Sequence, residues 1–152
     1  MFSFKIAATF SALDIEHMGS IRIEIKLSNP LKENLAPNTV VALVDTGSLN
    51  LCIPKYLAIR LGLKELEKRD VIVADGRTVI CSYSGPLLVE YGVQRCYTGA
   101  LVLGDEVILG TIPLEDMDLL VHPAAQSVFP SDAAIELPSI KSVEGGKVLK
   151  EP

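Results

Sequence analysis

The chain has 152 residues, 49% of them hydrophobic and 22% charged, with a formal net charge of −5. That balance describes one folded domain with a real core and excludes a disordered chain. Its acidity, with basic residues scattered singly or in pairs, argues against nucleic acid and anionic membrane as partners.

Residues 1–17 read as an extension, and Gly19-Ser20 is the first turn signal. The start is mildly apolar but is interrupted by Lys5, too short a run to span a bilayer, so cytoplasm is the default location. Ile21 to Leu27 alternates apolar and charged residues, predicting a half-buried strand with Ile21, Ile23, Ile25 and Leu27 facing inward. Ser28 to Asn38, with two prolines, reads as a loop. Val40 to Val44 is a continuous apolar run, which predicts a strand covered on both faces.

Pro54 to Leu61 has helical spacing, since Ile53, Leu57 and Leu61 recur every four residues and Gly62 is a stop. Val71–Ala74 and Thr78–Cys81 flank Asp75-Gly76, predicting a hairpin with a tight turn. Pro86–Tyr91 and Gln94–Leu103 predict a second hairpin around Gly92, and Val107–Gly110 a short buried strand. A helical turn over Leu114–Met117 follows Pro113, and Leu119–Val121 with Ser127–Phe129 makes a last hairpin. From Pro130 the sequence turns polar, a loose tail over 131–152. The sum is an all-β domain with one or two short helices, more barrel than sandwich.

Cys52, Cys81 and Cys96 are odd in number and lack Cys-x-x-Cys spacing, and His17 and His122 stand far apart. No metal site, cofactor or disulfide framework is expected; the thiols read as buried small hydrophobes. No Gly-x-Ser-x-Gly is present, and neither histidine has the partners a Ser or Cys nucleophile needs.

The chemistry concentrates at Val44-Asp45-Thr46-Gly47-Ser48, an acid at the end of an apolar strand with Leu49 and Leu51 behind it. Asp-Thr-Gly alone is equally an Asp-initiated turn, with Gly47 supplying an unusual backbone angle. Turns lie at the wet surface, however, and this one is set between apolar runs. Two carboxylates brought together share one proton, so that one acts as base and the other as acid on one water. The chain has one Asp-Thr-Gly and no Asp-Ser-Gly, so the second acid of such a pair has to come from another copy.

These features resemble the retroviral-type aspartic peptidases, and more closely a group of small prokaryotic single-domain relatives in the same clan. Val44–Ser48 resembles the catalytic loop, Val73–Cys81 lies where the family has its flap, and Val107–Gly110 resembles the hydrophobic-hydrophobic-Gly element supporting that loop. The prokaryotic group matches further at Met18-Gly19, Leu27–Pro30, Leu61–Leu63, Ala74–Gly76, Leu103–Asp105 and Leu120–Pro123. Coverage is about Met18 to Pro130, making 18–130 the peptidase-like domain. His122 stands where an acidic residue is expected. The extension and the tail differ from retroviral enzymes, whose termini interleave to hold the dimer.

The resemblance implies a closed acid-protease-type barrel, one lobe per chain, with the active site on a homodimer two-fold. It implies catalytic roles for Asp45, Thr46 and Gly47, with Ser48, Ile108, Leu109 and Gly110 in support. Ala74, Asp75, Gly76 and Arg77 would form the substrate-covering flap. Thr46 would bond across the two-fold, Gly47 would bring its N–H to the carboxylate, and a Ser48 hydroxyl would move the working range towards acid. The implied partners are a second copy of the chain and a peptide or unfolded-protein substrate. A non-catalytic peptide-binding or dimerisation module on the same barrel is the first alternative, and a barrel in which Asp45 only caps a turn is the second.

Overall fold

The computed structural model describes the backbone of Ser3–Lys5 and all of residues 20–131. His17, the Met18-Gly19 pair and most of the expected extension and tail lie outside the described residues. The elements are β1 (Ser3–Lys5), β2 (Arg22–Ser28), β3 (Asn38–Val44), β4 (Leu51–Ile53), α1 (Lys55–Arg60) and β5 (Lys64–Ile72). They continue with β6 (Thr78–Tyr91), β7 (Gln94–Val102), β8 (Val107–Leu109), α2 (Thr111–Asp116), β9 (Leu119–His122), a 3-10 turn at Pro123–Ala125 and β10 (Ser127–Pro130).

Six strands close into a barrel in the order β6-β2-β3-β8-β4-β7, with β7 returning to β6. Strand β5 lies outside that ring on β6, and β1 lies outside β5, running parallel to it. A separate antiparallel pair, β9 and β10, carries the chain away. The expected all-β barrel with two short helices is therefore the architecture of the described residues.

The alternation of β2 places Ile23, Ile25 and Leu27 in the core, with Ile21 packed at its margin. Pro54 sits immediately before α1, and Gly62 at φ +62° lets the chain leave it. Leu57 and Leu61 seal that helix onto Ile53 and the barrel, all fully buried.

Five expectations are corrected. Strand β3 is not covered on both faces: Ala42 is buried but Val41 is 55% exposed, because a barrel wall has one inner and one outer face. The first hairpin is far longer than Val71–Cys81, its arms running over Lys64–Ile72 and from Thr78. Its tip is no two-residue turn. Val73 accepts from the Gly76 amide (2.9 Å) and donates to the Arg77 carbonyl (2.9 Å), with Gly76 at φ +93°. That is a three-residue loop closed by a left-handed glycine. Pro86 starts no new strand, since β6 runs through Gly85-Pro86 and absorbs it as a register shift against β7. Helix α2 begins at Thr111, two residues before Pro113, which a first turn tolerates because its N–H would lack a partner there.

Candidate functional site

Strand β3 delivers the chain into a loop gripped from behind by β8. The Asp45 amide donates to the Leu109 carbonyl (3.0 Å), while Thr111 and Ile112 donate to the Ser48 and Leu49 carbonyls (both 2.9 Å). Gly110 makes that approach possible. A Cβ there would meet the Leu49 carbonyl carbon and the Asn50 oxygen, each at 2.6 Å, closer than real atoms pack. The hydrophobic-hydrophobic-Gly pattern is thus a packing demand: Leu109 supplies an acceptor and Gly110 supplies room.

Within the loop Asp45 is buried, 6% exposed as a residue, and its carboxyl has a donor on each oxygen. Gly47 N–H donates to Oδ1 and Ser48 Oγ–H to Oδ2, each at 2.9 Å. The Ser48 amide also donates to the Asp45 carbonyl (3.1 Å), closing a tight turn. Such donors offset part of the cost of burying a polar group. Gly47 is not among the residues with positive φ, so the unusual backbone angle expected of a plain turn is absent. Thr46 and Gly47 are exposed, and so are Leu49 (42%) and Ile112 (44%), which are joined by the backbone bond above. An acid thus sits at the bottom of a loop whose rim is polar at Thr46 and apolar beside it.

A groove of about 380 Å³ opens next to this loop, under the tip of the β5–β6 hairpin. Ala74, Asp75 and Arg77 form its roof and Ile108 part of its floor. Four of the expected site residues therefore line one cavity. Asp45, Gly47, Ser48, Leu109 and Gly110 form the loop cluster and do not line the groove. Gly76 occupies the tip without lining the groove. The groove's other walls are Val73, which opens the expected flap segment, and Cys52, Leu103 and Gly104, which sequence reasoning did not assign to the site. The register gives the reason for Cys52, which pairs with Ile108 across β4 and β8. A larger groove, about 580 Å³, lies over Asn38, Tyr56, Arg60 and Asp105 and contains none of these residues.

The hairpin tip is held electrostatically. The Arg77 amide donates to Asp75 Oδ1 (3.0 Å) and its guanidinium to Oδ2 (2.7 Å). The amide first, and then the guanidinium, hold the Asp75 carboxyl below its ordinary range. The three cysteines are buried and free. Desolvation pushes the Cys52 thiol up to about 12, with Cys81 and Asp45 nearby adding to the rise. Burial likewise pushes Cys96 to about 11. At neutral pH these are protonated side chains that pack, as expected. His122 is exposed and caps the 3-10 turn, its Nδ1 accepting from the Ala125 amide (3.0 Å). Among the described residues no helix is long and apolar enough to cross a membrane.

No family model matches the chain, and no curated protein matches it. Solved structures do. The chain is similar to the retroviral protease-like domain of Ddi1 from Leishmania major at 13% identity and a TM-score of 0.47, over 72% of this chain and 88% of that one. It is also similar to a protein of unknown function from Legionella pneumophila at 16% identity and a TM-score of 0.41, over 68% of this chain and 91% of that one.

Proposed function

We propose that this chain is a homodimeric aspartic endopeptidase that hydrolyses peptide bonds in extended substrates. The observation that carries the reading is the buried Asp45 carboxyl, with a donor from its own loop on each oxygen, beside a groove roofed by a hairpin tip. In the dimer the two Asp45 groups face each other and hold a water. One takes its proton while the other protonates the peptide carbonyl oxygen, and no covalent intermediate forms. Thr46, exposed at the rim, bonds across the two-fold, and Leu49 and Ile112 pack against the partner copy. The 73–77 tip closes over the substrate and excludes water.

Cleavage of an unfolded protein, scanned from acid to neutral pH, tests this directly. Asp45→Asn keeps the shape and removes the acid–base function. It is expected to lower turnover by roughly 10²–10⁴-fold with the dimer intact. Undiminished turnover by the pure variant would end the proposal.

A second reading is favoured by the single Asp-Thr-Gly of the chain. A species that stays monomeric has one carboxyl and no proton-sharing pair, so it would hold an extended peptide without cutting it. Peptide binding without turnover at any pH, from a chain that sediments as a monomer, would select this module.

A further inference from the structure

The β5–β6 arm that carries the groove roof has two edges. Strand β6 occupies one over the whole length of β5, from Lys64↔Gly85 to Ile72↔Thr78. Among the described residues the other edge is paired only at its tip end, where β1 lies parallel with Ser3, Phe4 and Lys5 opposite Asp70, Val71 and Ile72. The sequence of β5 divides at the same place. From Lys64 to Asp70 six of seven residues are charged, and Lys64–Lys68 are exposed. Charge of this density protects an open strand edge from pairing with other chains. It stops at Val71 and Ile72, two of the three residues that β1 covers.

The covered stretch directly precedes Val73, Ala74, Asp75 and Arg77 of the groove. Parallel pairing also means that β1 runs along the arm towards that tip. An extended peptide seated under the tip needs backbone partners, and an open strand edge supplies them most directly. We propose that the tip end of β5 is a strand-accepting dock, that residues 3–5 of the chain are its resident occupant, and that an extended substrate competes with them for it. The inference rests on the reading of the groove as a peptide site, and it adds a regulatory element to that site: the amino-terminal strand occupies the strand edge beside the groove until a substrate displaces it.

The test uses the full-length chain with Asp45→Asn, so that binding is read without cleavage. In the unsubstituted background, hydrogen exchange comes first: at least one amide among Asp70–Ile72 that points away from β6 should exchange slowly. Uniformly fast exchange there overturns the dock without any variant having to fold. Phe4→Pro together with Lys5→Pro then removes a ladder donor whichever alternate residue of β1 faces β5. In this double variant the outer-edge protection should vanish while the barrel amides of Val40–Val44 stay slow. A fluorescein-labelled peptide of residues 1–10 should bind it at least tenfold more tightly than it binds the unsubstituted amino terminus. The same peptide carrying both prolines should not bind. Equal affinity for the two chains overturns the competition. Restored binding with no turnover in any Asp45-containing chain would end the peptidase proposal and leave the dock standing.

Discussion

At the residue scale, burial is what separates Asp45 from an ordinary turn aspartate. The Gly47 N–H to Asp45 Oδ1 bond is the geometry of any Asx turn and costs nothing to explain. A surface turn, however, leaves its carboxylate in water, whereas this one is 6% exposed and needs the Ser48 hydroxyl as well. Ser48→Ala should therefore cost about 1–3 kcal/mol, because it leaves a buried carboxyl oxygen without its donor, read as a shift in the urea midpoint. A value under 0.5 kcal/mol would mean that the carboxyl is satisfied some other way. Gly110→Ala tests the clamp behind the loop. With Cβ contacts of 2.6 Å to backbone atoms that cannot swing aside, overpacking of about 1–3 kcal/mol is expected.

At the element scale, the long hairpin is the feature that carries the roof, and its tip depends on a glycine that no L-residue replaces freely. Gly76 has open space around it but sits at φ +93°. Gly76→Ala should cost about 1–2 kcal/mol through backbone strain alone, and should raise KM for a peptide substrate more than it lowers kcat. An unchanged KM would detach the tip from substrate binding. The hairpin also shows why elements differ in legibility. The position of the tip was readable because Asp-Gly marks a turn, though not its three-residue form, whereas the Lys64–Asp70 half of β5 has no period-2 pattern. Lys64–Lys68 are exposed, so no buried side imposes an alternation there. The unbroken course of β6 was equally hidden, because Gly-Pro reads as punctuation until a partner strand is seen to accept the register shift.

At the scale of the whole molecule, two outcomes follow from exposure and burial. Leu49 and Ile112 are more than 40% exposed in the single chain, so charge there is tolerated by the monomer fold. Leu49→Asp with Ile112→Asp should leave the barrel folded but weaken the proposed dimer at least tenfold, about 1.4 kcal/mol, by sedimentation over a concentration series. Dissociation unchanged by both charges would move the interface elsewhere. The second outcome concerns alkali. The Cys52 thiol titrates near its ordinary 9.0 when unfolded and about 12 when folded. Between those values the unfolded chain has lost the proton and the folded chain keeps it, so stability falls as pH rises. The slope from this one group approaches about 1.4 kcal/mol per pH unit. Cys52→Ala should remove that part of the alkaline slope.

By itself the sequence determined the things that depend on near neighbours along the chain. Alternation in β2, four-residue spacing in α1, the position of the Asp-Gly tip and the Asp45-Thr46-Gly47 loop were all legible, because local sterics and one-sided burial act over a few residues. Only the tertiary structure decided what depends on distant strands meeting. The pairing of β2 with β6 and of β4 with β7, the Leu109 carbonyl beneath Asp45, the entry of Cys52 and Leu103 into the groove, and the seating of β1 on β5 each join segments far apart in the chain. No local propensity encodes such a meeting. It is chosen by the barrel as a whole, when burying the inner faces of six strands leaves one arrangement that satisfies their backbone groups.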